Sequence, residues 1–269
     1  MKLTYLGTAA AEGFPAVFCR CEHCLKARRR GGKNVRTRSQ ALVNDDLLID
    51  LPADTYHHFL TNGIEGDAIS HLLITHSHPD HLYPTALTMR SGCYAHNMRV
   101  ETLAVFASAE TLATLGEAPE NVSFTSLVPF QPTAVGRYTV TALPARHEPC
   151  TGAMMYLIEG EKTLLYAHDS GYFYEEVFEH LAARGKVLDM VSYDCTCGDI
   201  PVGDEGRHMG FENIARVKER LCALGVTDAH TVHYVNHFSH NAAPLQEAFE
   251  QRAATLGCGC SFDGCAVEF

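Results

Sequence analysis

Leu72-Leu73-Ile74-Thr75-His76-Ser77-His78-Pro79-Asp80-His81 sets three imidazoles and a carboxylate within six residues, directly behind a short apolar run. A brief apolar run bounded by polar residues reads as a buried strand, so the ligand-type side chains sit at a strand end. His76 and His78 are two apart and can reach one ion from a single extended turn. Asp80 and His81, just past Pro79, can be aimed at a second. Two neighbouring metals are the natural reading, because neutral imidazole and carboxylate suit Zn, Mn or Fe.

Around this stretch the chain reads as an ordinary globular protein. At 269 residues, with 46% apolar and 20% charged side chains, it can bury a sizeable core. No linker, low-complexity tract or repeat divides it, so residues 1–269 are expected to form one domain. There is no apolar stretch of membrane-spanning length and no signal-peptide pattern, which sets the expectation of a cytoplasmic protein without a membrane partner. The net charge of -11 opposes broad attraction to nucleic acid. The 11 Cys are odd in number and clustered, which fits reduced thiols and metal ligands better than a disulfide framework.

One region runs against the charge. From Lys26 to Arg38 seven of thirteen residues are basic and none is acidic. The stretch could welcome an anion, or form a solvated loop or a subunit contact in a homodimer. Arg36 and Arg38, near the strand beginning at Ala41, are candidates for reaching a substrate phosphate.

Strand-like runs are expected over 3–6, 41–43 and 47–50, with Asn44-Asp45-Asp46 as a hairpin turn, and over 72–75, 102–106, 122–127, 138–143, 154–159, 163–166, 188–193, 230–234 and 266–269. Helices are expected over 52–62, 80–90, 109–115, 174–183, 212–224 and 244–256, several ending at a glycine. Two groups of strands with helices between and after them imply an α/β fold: two packed sheets with helices on the outside.

Strand ends supply further ligand-type residues. His147 closes the strand around Val140 to Leu143, Asp169 the strand around Leu164 to Tyr166, and His237 the strand around Thr231 to Val235. His168 is expected to point to the other side of the backbone and pack. The hexapeptide from His76 to His81, an HxHxDH pattern, resembles the signature of the metallo-β-lactamase superfamily of dinuclear hydrolases. That resemblance implies a four-layer αββα sandwich of two mixed β-sheets. It also implies one divalent cation (Zn or Mn) on His76, His78 and His147, a second on Asp80, His81 and His237, and Asp169 with a hydroxide as bridge. Asp80 then counts as catalytic as well as metal-binding.

Cys19-Arg20-Cys21-Glu22-His23-Cys24 is the second unusual feature. A CxCxxC is expected by chance at about 0.02 occurrences in such a chain. Three thiolates at this spacing can wrap a structural zinc and need a fourth ligand. His23, a remote His, or the late Cys258, Cys260 and Cys265 are candidates. CxCxxC near the start, HxHxDH, a late His-x-Ser-His and Phe262-Asp263-Gly264 together resemble the phosphodiesterases of the carbon–phosphorus lyase pathway, which open the cyclic diester of phosphoribosyl 1,2-cyclic phosphate. The resemblance implies His240 as the fourth zinc ligand beside Cys19, Cys21 and Cys24, and a role in phosphonate metabolism. Leu6 to Pro15 is also similar to the opening of the B protein of pyrroloquinoline quinone biosynthesis, a relative whose HxHxDH equivalent is degraded.

His208, in Arg207-His208-Met209-Gly210, is the best remaining candidate for general acid or phosphate ligand. Asp50 and Asp194, each ending a predicted strand, are expected to orient ligands or loop amides. Cys195 and Cys197 are expected to be buried reduced thiols. The resulting expectation is a dinuclear phosphodiesterase taking a small-molecule phosphate ester, cyclic by family resemblance, with a separate structural zinc. The alternatives are RNA processing of the ribonuclease Z kind, a lactonase or thioesterase, and a non-catalytic carrier like the quinone-biosynthesis relative.

Overall fold

Successive side chains along the strands point to opposite faces, which divides the apolar residues between two layers. The computed structural model describes Met1–Phe269. Its elements are β1 (Lys2–Gly7), α1 (Glu22–Arg30), β2 (Gln40–Val43), β3 (Leu47–Ile49), α2 (Thr55–Asn62), β4 (His71–Leu73), α3 (Thr85–Thr88), β5 (Leu103–Ala107), α4 (Ala109–Ala113) and β6 (Val122–Ser126). There follow β7 (Pro132–Val135), β8 (Tyr138–Pro144), β9 (Met154–Glu159), β10 (Thr163–Ala167), α5 (Glu175–Ala183), β11 (Met190–Asp194), α6 (Phe211–Ala223), β12 (Val232–Asn236), α7 (Gln246–Ala254), β13 (Gly259–Cys260) and β14 (Cys265–Glu268).

Two seven-stranded sheets result, ordered β14-β1-β2-β3-β4-β5-β6 and β13-β12-β11-β10-β9-β8-β7. In each, antiparallel pairing at one end gives way to parallel pairing at the other, as in β2 with β3 against β3 with β4, and β9 with β10 against β10 with β11. Tyr156, Ile158, Leu164 and Tyr166 face the first sheet and pack with Leu3, Tyr5, Leu47 and Ile49. Their neighbours Met155, Leu157 and Leu165 point the other way, onto Val177 and Phe178 of α5 and Ile214, Val217 and Leu221 of α6. Strands buried on both faces lack polar alternation, and here they are covered by helices. Each such buried side chain contributes about 1.5–3 kcal/mol relative to exposure. The first sheet's outer face, with Leu48, Leu72 and Val105, is covered by Phe59 of α2 and Leu112 of α4. This is the four-layer αββα sandwich expected from the sequence.

α6 forms because Phe211, Ile214, Val217 and Leu221 recur at helical spacing and make one buried stripe. α2 stops at Gly63, whose φ of 63° caps the last turn in the left-handed region. No helix is long and apolar enough to cross a membrane.

Several expectations are corrected. The helix expected over 80–90 is only the four-residue α3, because Asp80 to Tyr83 is held as a turn: His81 and Leu82 N–H both donate to His78 O, and Tyr83 N–H donates to Leu51 O. The basic stretch begins as a helix, α1, capped by Cys21 Sγ accepting from Cys24 N–H. Arg36 is not available to a substrate. It is 2% exposed, donates to Thr8 Oγ1, Ser261 O and Gln246 Oε1, and lies 4.3 Å over the Phe238 ring. Arg38 is paired with Asp54. β7 and the two-residue β13 were not anticipated, since β7 begins with a proline and β13 is too short for a pattern.

Candidate metal centre

The ligand-type residues follow the C-terminal ends of one strand of the first sheet and alternate strands of the second: the loop after β4 carries His76 to His81, β8 leads to His147, β10 to Asp169 and β12 to His237. Asp50, Asp169 and His237 each take up a left-handed backbone, with φ of 66°, 48° and 62°. Non-glycine residues do so rarely and Asp and His more readily than most, and the reversal at each strand end turns the side chain back into the cleft.

Two sets of nitrogens converge. His78 Nδ1 lies 3.0 Å from His76 Nε2 and 3.1 Å from His147 Nε2. His81 Nε2 lies 3.2 Å from His237 Nε2 and 3.3 Å from Asp80 Oδ2. Asp169 spans the two sets. Its Oδ1 is 3.7 Å from His147 Nε2, and its Oδ2 is 2.7 Å from His81 Nε2 and 3.0 Å from His237 Nε2.

The remaining ring nitrogens show which atoms are free. Thr75 Oγ1 donates to Asp50 and so accepts from His76 Nδ1 at 3.0 Å. Asp50 Oδ2 accepts from His81 Nδ1 at 2.7 Å, Arg207 O from His147 Nδ1 at 3.2 Å, and Thr196 Oγ1 from His237 Nδ1 at 2.7 Å. With Nδ1 protonated on four rings, their Nε2 lone pairs face the centre, the orientation that metal-binding imidazoles take. Asp169 Oδ2 is buried among them without a hydrogen-bond partner. Lone pairs facing lone pairs in a dry pocket repel unless a cation lies between them, so this donor set fits divalent metal.

The electrostatics show where positive charge is drawn. Burial pushes the His76 ring well towards the neutral form and moves His147 in the same direction. Burial alone would also keep His81 neutral, but Asp169, Asp50 and Asp80 outweigh it and raise its pKa. The same three carboxylates would draw a metal cation. Burial resists ionisation of Asp169, yet His237 and His81 hold its carboxyl well below the usual range.

Asp50 serves two parts of the loop: Oδ1 accepts from Thr75 N–H at 2.7 Å while Oδ2 holds His81. Asp194 does the same on the opposite rim. Its Oδ1 accepts from Thr196 and Met209 N–H, and its Oδ2 accepts from His208 Nδ1 at 3.0 Å. His208 Nδ1 is also 3.6 Å from Asp169 Oδ1. Burial disfavours a charged His208 ring, but Asp194 outweighs it and raises the pKa to about 9. His168 packs away from the centre, its Nε2 bonded to Ser192 Oγ.

Cys19, Cys21, Cys24 and His240 form a separate group whose ligand atoms all lie within 4.8 Å of one another. Cys24 Sγ is 3.7 Å from His240 Nδ1. The Cys24 N–H and His240 lower the Cys21 thiol to about 6, whereas burial raises Cys24 to about 11. His23 does not join this group, and Cys258, Cys260 and Cys265 are buried in the apolar cores. Cys195 is buried, Cys197 half-buried, and burial raises both thiols. Glu12 Oε1 accepts from Ser239 Oγ and His240 N–H, and Phe238 pairs with the chain at Thr8 to Ala10, so the segment from His237 to His240 is pinned between the two groups.

Thr75, Thr196 and the Arg207 carbonyl were missed in the sequence. Thr75 adjoins the HxHxDH motif and could have been found there. Thr196 and Arg207 have no local signal, because their roles depend on the approach of strands distant in sequence.

Residues 49–234 match the sequence model of the beta-lactamase superfamily domain. Among solved structures the chain is similar to a diphosphatase from the PhnP family, at 20% identity, with 100% of this chain and 97% of that one covered and a TM-score of 0.76. It is also similar to zinc-bound PqqB from Methylobacterium extorquens (18% identity, 100% of each chain, TM-score 0.74) and to the short form of human tRNase Z (14%, 100% and 99%, TM-score 0.67). No curated protein matches the sequence. At such identities the structural likeness establishes the fold.

Proposed function

We propose a function from one premise: the chain belongs to the beta-lactamase superfamily. It is a metal-dependent hydrolase, and the reading the site supports best is a phosphodiesterase acting on a small phosphate ester, a cyclic one in its narrowest form. The observation that carries this reading is the position of Asp169 between two sets of ligand atoms, with the Asp194–His208 pair beside it.

His76, His78 and His147 would hold one divalent cation, Zn or Mn, and Asp80, His81 and His237 the other, with Asp169 shared. Such cations supply positive charge for the phosphoryl oxygens and lower the pKa of water to about 7. The chain's own residues do the rest. Asp50 and Thr196 fix the rings of His81 and His237, and the Arg207 carbonyl that of His147. His208 has Nδ1 committed to Asp194, which leaves Nε2–H to protonate the departing alkoxide. Cys19, Cys21, Cys24 and His240 would hold a structural zinc.

RNA 3′ processing is a second reading, supported by the exposed Arg28, Arg29 and Arg30 of α1, but the net charge of -11 weighs against it. The Asp194–His208 pair beside the clustered His and Asp residues supports turnover over a passive carrier. Metal analysis combined with a diesterase assay tests the proposal. The expected result is three tightly held metals per chain, two of them retained in Cys24→Ser, and cleavage of bis(4-nitrophenyl) phosphate. Fewer than two metals retained in Cys24→Ser from Zn- and Mn-replete expression, or cleavage of lactones alone, overturns it.

A further inference from the structure

Beside His147 a cleft of about 820 Å³ opens between the end of β6, the loop after β8 and Tyr174. Its walls include Val128, Pro129, Ala145, Pro149, Met154 and Tyr174, and no lysine or arginine lines it. The charged groups among its lining residues are the carboxylates of Glu110 and Glu148, apart from His147 itself. Two guanidiniums reach its rim, and each is already occupied. Arg146 lies 4.2 Å over the Tyr174 ring, donates to Tyr172 O and pairs with Glu205, while Arg207 pairs with Glu148.

A cleft of this size takes a ligand arm of many heavy atoms. A second anion entering it would meet the Glu110 carboxylate and a Glu148 already paired with Arg207, with no free cation to hold it, whereas an apolar group would gain by leaving water. We propose that the cleft receives an uncharged alkyl or aryl ester arm of the substrate and excludes a second phosphate or a polyanion. This rests on the phosphodiesterase reading of the adjoining centre, and it makes the arm on the His147 side the determinant of specificity.

The test compares two diesters sharing a 4-nitrophenyl leaving group, with hexyl or 2-phosphonoethyl as the other arm, on the metal-loaded protein. The hexyl ester is expected to have at least tenfold higher kcat/KM. Val128→Arg, at a position 47% exposed, should erase the preference through KM while the protein keeps its metal content. Calorimetric titration gives an independent readout: hexylphosphonate should bind at least tenfold tighter than methylphosphonate, and Val128→Arg should abolish the gain. Equal rates for the two arms, or faster turnover of the phosphonoethyl ester, overturns the inference while leaving the diesterase reading standing. If no diester is cleaved, the diesterase reading fails, and the titration alone decides what the cleft accepts, equal binding of the two phosphonates overturning the inference.

Discussion

Asp50 Oδ2 lies 2.7 Å from His81 Nδ1, with both side chains fully buried, while the other oxygen of Asp50 holds the N–H of Thr75. One carboxylate from the end of β3 thus sets the ring of His81 and the backbone where the HxHxDH loop begins. Asp50→Asn would present an amide N–H or a weaker acceptor to that ring. Metal affinity at the site should fall by about 10–100-fold, as for other residues that orient a metal-binding imidazole. Competition with a chelating dye measures this, and unchanged affinity would show that His81 needs no such partner.

His208→Ala should lower kcat by about 10²–10⁴-fold for a diester with an alkoxide leaving group. For a 4-nitrophenyl ester, whose leaving group needs no proton, the loss should be small, and metal content should not change. Equal losses on both esters would move His208 from proton transfer to phosphate binding.

Cys24→Ser should remove one zinc per chain and leave the catalytic metals in place. Structural zinc contributes folding energy directly. If about 3 kcal/mol is lost, Tm drops by about 6–12 °C, which calorimetry would detect. An unaltered zinc content would remove Cys24 from the ligand set.

Stability should fall with acidification because of His233, away from the metals. Burial and the Lys218 charge lower its pKa to about 4 when folded, and its Nδ1 is paired with Tyr193 Oη at 3.0 Å. Unfolded, it titrates near about 6.5. Between these values the unfolded chain binds the proton and the folded chain does not. The contribution of neutral His233 is therefore complete above pH 6.5, declines by at most about 1.4 kcal/mol per pH unit as pH falls, and levels off below pH 4. Urea unfolding of wild type and His233→Gln at pH 7.5 and pH 5 should show the smaller pH effect in the variant.

Much of the site was legible because the ligands are local or end on strong strand patterns. His76, His78, Asp80 and His81 are one hexapeptide, and Asp169 and His237 follow apolar runs. The loop geometry was less legible. A helix is expected over 80–90, but the turn bonded to His78 O and Leu51 O takes the first part of that segment and leaves only Thr85–Thr88 helical. Arg36 looked like an exposed cation in a basic stretch, and only packing against Phe238 and Gln246 shows it as a buried strut.

The sequence by itself determined the strand count within a few elements, the two-sheet architecture and the chemical type of the candidate ligands, because short apolar runs and the donor chemistry of His, Asp and Cys are properties of short segments. Only the tertiary structure decided which atoms meet. The span of Asp169 between His147 and His81, the hold of Thr196 on His237 and the choice of His240 over His23 beside Cys19, Cys21 and Cys24 all join residues far apart in the chain. Their meeting follows from the order of strands in two packed sheets, which no local pattern encodes.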